Sequence, residues 1–138
     1  MKRIAVEEAF VTEEIAREWK RALASKFVEP GFRLLGDTIL GDSPAARSVH
    51  AQLVDLGAGR IAEMDANGID LALLSITSPG VQVFAAVTAT ALSSHANDVL
   101  AAAIQRYPER FAGLATIAPQ YPQGAAQELQ RAARNLGR

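Results

Sequence analysis

Ile69 to Ile76 (IDLALLSI) is an almost unbroken apolar run with a single Asp near its start, ending in the turn-like TSPG. A strand with one wet face alternates polar and apolar residues, whereas a strand covered on both faces does not, so this run predicts a buried strand of a parallel sheet. Such a strand needs parallel neighbours reached by crossover connections, and helices to cover it. Phe111 to Ile117 (FAGLATI) repeats the pattern, and Ile4 to Val6 is a shorter version of it.

The intervening segments carry helical spacing. Thr12 is placed to cap a helix whose first turn holds Glu13 and Glu14, where negative charge suits the helix dipole, and which extends to about Lys26. Residues 27–42 contain glycines, a proline and no sustained period, which predicts a long loop of functional or mobile character. Ser43 and Pro44 start a helix that uses Val49, Leu53, Leu56, Ile61 and Met64 and ends at Asn67-Gly68, weakened in the middle by Gly57 and Gly59. A further helix is expected from about Val83 to Arg106, on Leu92, Ala96, Val99, Ala103 and Ile104. The last runs from Ala125 to Leu136 on Leu129, Ala132 or Ala133, and Leu136, with Gly137 as its stop.

The order strand-helix, three times over, implies an α/β fold with parallel strands and right-handed crossovers. Two architectures fit: a small open sheet, or the first three strand-helix units of a TIM (β/α)8 barrel. Three parallel strands alone leave two open edges and an uncovered apolar face.

Composition narrows the partners. With 138 residues, 49% of them hydrophobic, and a net charge of −1, the chain can build one real core. Its Lys and Arg are interspersed with as many Asp and Glu, and aromatics are 6%, so the basic stripe of a nucleic-acid binder is missing. No apolar run approaches the roughly 20 residues that span a bilayer. Without cysteine there is no disulfide framework or thiolate metal site, and a cytoplasmic location is the expectation.

Three stretches carry a family likeness: RIAVEEAFVTEEI at the start, RIAEMDANGIDLALLSITSPGVQ in the middle and ANDVLAAAIQRYPERFAGLATIAPQYP near the end. In wording and spacing the chain resembles the amidohydrolase-related, metal-dependent decarboxylases of aromatic acids. The likeness is greatest to the 5-carboxyvanillate branch, with 2,3-dihydroxybenzoate and gamma-resorcylate decarboxylases nearby. It runs from Lys2 onward but matches only the first part of that family's barrel. The resemblance thus implies that residues 1–138 form the N-terminal part of an amidohydrolase-type barrel.

What it implies for the site begins with two adjacent carboxylates, Glu7 and Glu8, at the end of the first strand. Strand alternation would place Ala5, Glu7 and Ala9 on one face and Ile4, Val6 and Glu8 on the other. The family's first strand ends in metal ligands two residues apart, and here the matching positions are Glu7, a competent oxygen ligand for Mn, Zn or Mg, and Ala9, which cannot bind. Glu7 is therefore the expected metal ligand, and Glu8 is expected to pair with an Arg or a backbone N–H. The serine-proline-x-x-arginine spacing at Ser43 to Arg47 is similar to that of the carboxyvanillate branch, and the resemblance implies that Arg47 meets a substrate carboxylate, a task that a planar guanidinium suits through two parallel bonds. Thr77, Ser78, Pro79 and Gly80 follow the second strand and would form a wall of the substrate pocket. His50 and His95 follow no strand and read as surface or packing residues.

The implied reaction is non-oxidative loss of carbon dioxide from an aromatic acid bearing a hydroxyl beside its carboxylate, with a divalent metal as template and Lewis acid and no organic cofactor. The family's remaining ligands, a His and an Asp, and a further catalytic His fall on later strands. The chain by itself is accordingly expected to have little or no decarboxylase activity and possesses no catalytic residue of its own beyond the ligand. A related hydrolase or hydratase on the same barrel is the alternative activity. Self-association, or association with a missing C-terminal part, is the alternative that needs no chemistry, and the expected small partner is an aromatic acid.

Overall fold

The computed structural model describes residues 1–26 and 28–136. In chain order the elements are β1 (Ile4–Phe10), α1 (Glu13–Leu23), α2 (Pro30–Leu40), α3 (Pro44–Val54), α4 (Ala58–Ala66), β2 (Leu71–Ile76), α5 (Ala86–Arg106), β3 (Phe111–Gly113) and α6 (Pro122–Leu136). The three strands are parallel and lie in the order β1-β2-β3. Each is followed by helices, and the sheet is unclosed, as the first three units of a (β/α)8 barrel would be.

One face of the sheet is dry. Phe10, Ala72, Leu74 and Phe111 pack under Met64 of α4 and Leu100, Ala103 and Ile104 of α5. A second cluster, with Val11, Ile15, Trp19, Ile39, Val81, Ala89, Leu92 and Ala118, sits beyond the C-terminal ends of the strands. Its membership gathers the segments that follow all three strands on one side of the molecule, as the barrel reading requires.

Local chemistry explains most boundaries. The Thr12 hydroxyl accepts from the Ile15 N–H at 3.3 Å to start α1, and Ser43 accepts from Ala46 N–H at 3.0 Å to start α3, with Pro44 at its first position. The segment expected to be a loop over 27–42 contains the helix α2. Glu29 caps it by accepting from the N–H groups of Gly31 and Phe32 at 2.9 and 2.7 Å, and Phe32, Leu35, Ile39 and Leu40 pack on the core. Burial of that apolar stripe outweighs the low helix propensity of its glycines. The single helix expected over 44–67 is broken: the Asp55 carboxylate accepts from Gly57 N–H at 2.7 Å, and α4 begins after it.

Other boundaries are shorter than the apolar runs suggested. α1 ends at Leu23, α5 starts at Ala86, and β3 stops at Gly113, after which Leu114 N–H makes one more bond to the Leu74 carbonyl at 2.9 Å. The buried stripe of α6 is Ala125, Glu128 and Ala132; of the expected stripe Ala132 is buried, but Leu129 is half exposed. Glu128 can be buried because Asn97 and Arg131 hold it. The expected stop at Gly137 and the side chain of Leu136 lie outside the described residues.

Candidate functional site

The two carboxylates of β1 are separated by a bulge. Ile4 and Ala5 pair with Leu71 and Ala72, but Glu8, Ala9 and Phe10 pair with Leu74, Ser75 and Ile76, so β1 holds one residue more than β2 across this interval. The plain alternation expected for β1 is thereby corrected: Ala5 shares a face with Glu8 and Phe10, and Ile4 shares one with Ala9. Glu7 has φ 63°, in the left-handed region that costs a non-glycine residue about 1–2 kcal/mol. Its side chain is exposed and makes no ion pair among the described residues.

Glu8 lies on the helix side of β1. Its carboxylate is 3.8 Å from the Arg60 guanidinium, as a pairing with an Arg predicts. Arg60 is 11% exposed and donates to the main-chain carbonyls of Asp55, Ala9 and Gln52 at 2.7, 2.9 and 2.8 Å. Burial pulls this guanidinium below its usual range while Glu8 and Asp55 pull it back, and it stays a cation. A cavity of about 360 Å3 on this same side is lined by Glu8, Arg60, Asp55, Glu63, Met64 and Asn67 among others. None of the residues predicted for the site lines it, so it lies apart from the predicted chemistry.

The turn after β2 is fixed beside the end of β1. Thr77 N–H donates to the Phe10 carbonyl at 2.9 Å, and Gly80 N–H closes the turn onto the Thr77 carbonyl at 2.9 Å. Ser78-Pro79 is a cis peptide, and Gly80 has φ 59°, a conformation that glycine adopts without a steric penalty. The indole N–H of Trp19, buried on α1, donates to the Gly80 carbonyl at 2.9 Å. Gln120, after β3, donates to the carbonyls of Val81 and Phe84 at 3.1 and 2.9 Å. The turn from Thr77 to Gly80 is therefore held at the mouth by contacts from the first unit, while Gln120 of the third unit holds the residues that follow it.

Arg47 sits near the start of α3, exposed, with its guanidinium donating to the Asp42 carbonyl in the turn before the helix. The other end of α3 adjoins the strand: Val11 N–H donates to the Leu53 carbonyl at 3.0 Å. Among the described residues no hydrogen bond or ion pair joins Glu7, Arg47 and the 77–80 turn, and no three His, Asp or Glu side chains lie close enough together to hold a metal ion.

Both histidines pair with the first turn of α1. His50 reaches Glu13 at 3.5 Å and His95 reaches Glu14 at 3.0 Å. A bond from its own backbone N–H holds the Glu14 carboxyl below the usual range against its partial burial, and His95 adds to that. These pairs tie α1 to α3 and α5, which agrees with packing residues. Sequence reasoning missed Arg60 and the bulge. The only signal was Glu-Glu itself, two like charges on a strand with one dry face.

A model of the family described as Amidohydrolase matches residues 12–137. The chain belongs to the amidohydrolase family. Within it, the chain is similar to 5-carboxyvanillate decarboxylase from Novosphingobium aromaticivorans DSM 12444, solved with manganese and 4-hydroxy-3-methoxy-5-nitrobenzoic acid. That similarity is 45% identity over 99% of this chain and 39% of the other, with a TM-score of 0.92. The corresponding enzyme of Sphingomonas paucimobilis gives 40% identity, the same 99% of this chain, 40% of the other and a TM-score of 0.89. Gamma-resorcylate decarboxylase of Polaromonas sp. strain JS666 is 35% identical over 98% of this chain and 36% of its own length. The amidohydrolase chain described here thus spans well under half the length of these relatives.

Proposed function

We propose that this chain supplies the first three strand-helix units of a metal-dependent, non-oxidative decarboxylase acting on an ortho-hydroxy aromatic carboxylic acid. The observation that carries the reading is the superposition, over nearly the whole chain, on an enzyme holding manganese and a phenol with a nitro group beside its hydroxyl. Support from the chain itself is the left-handed Glu7, since backbone strain of this kind persists where function requires it.

In this reading Glu7 is one ligand of the metal, for which an exposed carboxylate oxygen is chemically suited. The bound ion would supply Lewis-acid and orienting chemistry. Arg47 would exchange the neutral Asp42 carbonyl for the substrate carboxylate, a stronger charge-assisted partner. The Thr77 to Gly80 turn, fixed by Trp19 and followed by residues that Gln120 holds, walls the ring and excludes water.

One ligand is too few for a catalytic ion, so the isolated chain should show little or no turnover. The test joins residues 1–136 to the remaining units of the Novosphingobium enzyme. The chimera should bind manganese and release carbon dioxide from 5-carboxyvanillate. Glu7→Gln should lower kcat/KM by at least about a hundredfold, and Arg47→Ala should act mainly on KM. Stoichiometric metal and turnover by the 138-residue chain alone, or a chimera indifferent to Glu7→Gln, would overturn the proposal.

A further inference from the structure

We propose that Arg60 is the positioning residue that decides which of the two adjacent glutamates β1 presents at the mouth. Ala5 faces the helices and pairs with Ala72. Without a bulge, strict alternation from Ala5 would turn Glu7 into the helix layer and Glu8 away from it, because a one-residue slip flips every side chain. The extra residue between Ala5 and Glu8 reverses this, leaving Glu7 exposed with φ 63° and placing Glu8 beside Leu74 on the helix side.

A carboxylate on that side needs a counter-charge, and Arg60 provides it at 3.8 Å. Arg60 also does what a neighbouring strand would do. The Phe10 carbonyl accepts from Thr77, the residue just after β2, so the Ala9 carbonyl points to the edge of β1 that has no strand. There it accepts from Arg60 at 2.9 Å. With its Nε and Nη2 also committed to Asp55 and Gln52, the guanidinium is immobilised from three sides. It therefore clamps β1 immediately after the bulge and neutralises the one group that would otherwise favour slipping back.

The functional meaning of this device rests on reading Glu7 as the metal ligand, but its existence does not. The test is a substitution cycle read by urea unfolding of the metal-free chain. In the wild-type background a left-handed residue 7 makes Glu7→Gly more stable than Glu7→Ala, by about fivefold or more in the folding constant. In an Arg60→Gln background, where the strand regains plain alternation, that preference should shrink to within about twofold or invert, since glycine is the poorer residue in a regular strand. Arg60→Lys keeps the charge near Glu8 but cannot serve three carbonyls, and should at least halve the preference; it carries the comparison if Arg60→Gln does not fold. A glycine preference unchanged in the folded Arg60 variants overturns the proposal. Because no metal is present, that failure is distinct from a chimera that binds no manganese.

Discussion

The Glu128 carboxylate is 8% exposed and accepts hydrogen bonds from Asn97 at 2.7 Å and from Arg131 at 2.8 Å through both of its oxygens. Burial pushes this carboxyl up, the bonds from Arg131 and Asn97 pull it down further, and the folded-state value ends below the ordinary one. Asn97 also grips Thr116 through both its carbonyl and its N–H, so the network braces the segment after β3 where no ladder continues. A carboxyl held low in the folded state contributes stability that is complete above its unfolded pKa and is lost as pH falls through the folded one. The urea midpoint should therefore drop as pH falls through and below the ordinary carboxylate range, and Glu128→Gln should flatten that drop while costing about 2 kcal/mol at neutral pH. Glu14, also held low, keeps a residual slope in the variant. An identical pH profile for variant and wild type would reject the assignment. The burial of Glu128 was not legible in the sequence, because what permits it is Asn97, far along the chain, and the neighbouring Leu129 offered the more obvious apolar face. Glu7 and Arg47 were singled out only through the motif around them; the bulge that exposes Glu7 has no local signature beyond the charge pair.

At the scale of elements, the buried runs and the caps were legible and the breaks were not. β2 and α5 follow from apolar periodicity, and Thr12 and Ser43 cap as their positions imply, since capping is a local interaction. α2 hid because Gly31 and Gly36 depress its propensity, and only packing against α1 and α3 makes it a helix. β3 proved short, and at its last residue it lies close to α5: a Cβ built on Gly113 would stand 2.5 Å from Leu100 Cδ2 and 3.1 Å from Ile104 Cδ1. At Gly113 no side chain fits between this strand and its covering helix, whereas Phe111, two residues earlier on the same face, packs there. Gly113→Ala should therefore destabilise the fold by about 1–3 kcal/mol through overpacking, measured by thermal unfolding. In a Leu100→Ala background, itself destabilised by a core cavity, the further cost of Gly113→Ala should be smaller than in the wild type, because the clashing side chain is gone. A neutral Gly113→Ala would mean that β3 and α5 can separate without cost.

For the whole molecule, the decisive feature is the side of the sheet that carries no helices. Ile4, Val6 and Leu114 are 55%, 64% and 54% exposed, and the register puts Ile4 on the same face as Leu71, with Leu73 and Ala112 paired beside them. That is one apolar surface, on the side that a closed barrel would turn to its interior. Parallel order and three repeating units were legible in the sequence, but closure is not a property that three strands possess, so the same runs fit an open sheet equally well. An apolar sheet face left in water drives association. The isolated chain should accordingly scatter light as a dimer or larger species at about ten micromolar, and the pair Val6→Lys with Leu114→Lys should shift it to monomer without unfolding it, since both positions are already exposed. In the chimera that completes the barrel the same two lysines would be buried among apolar side chains without partners, at a cost of several kcal/mol, roughly enough to abolish folding. The two outcomes together separate a surface that merely tolerates water from one built to be an interior. A wild-type chain that stays monomeric, or a chimera that accepts both lysines, would show that this face is not the inside of a barrel.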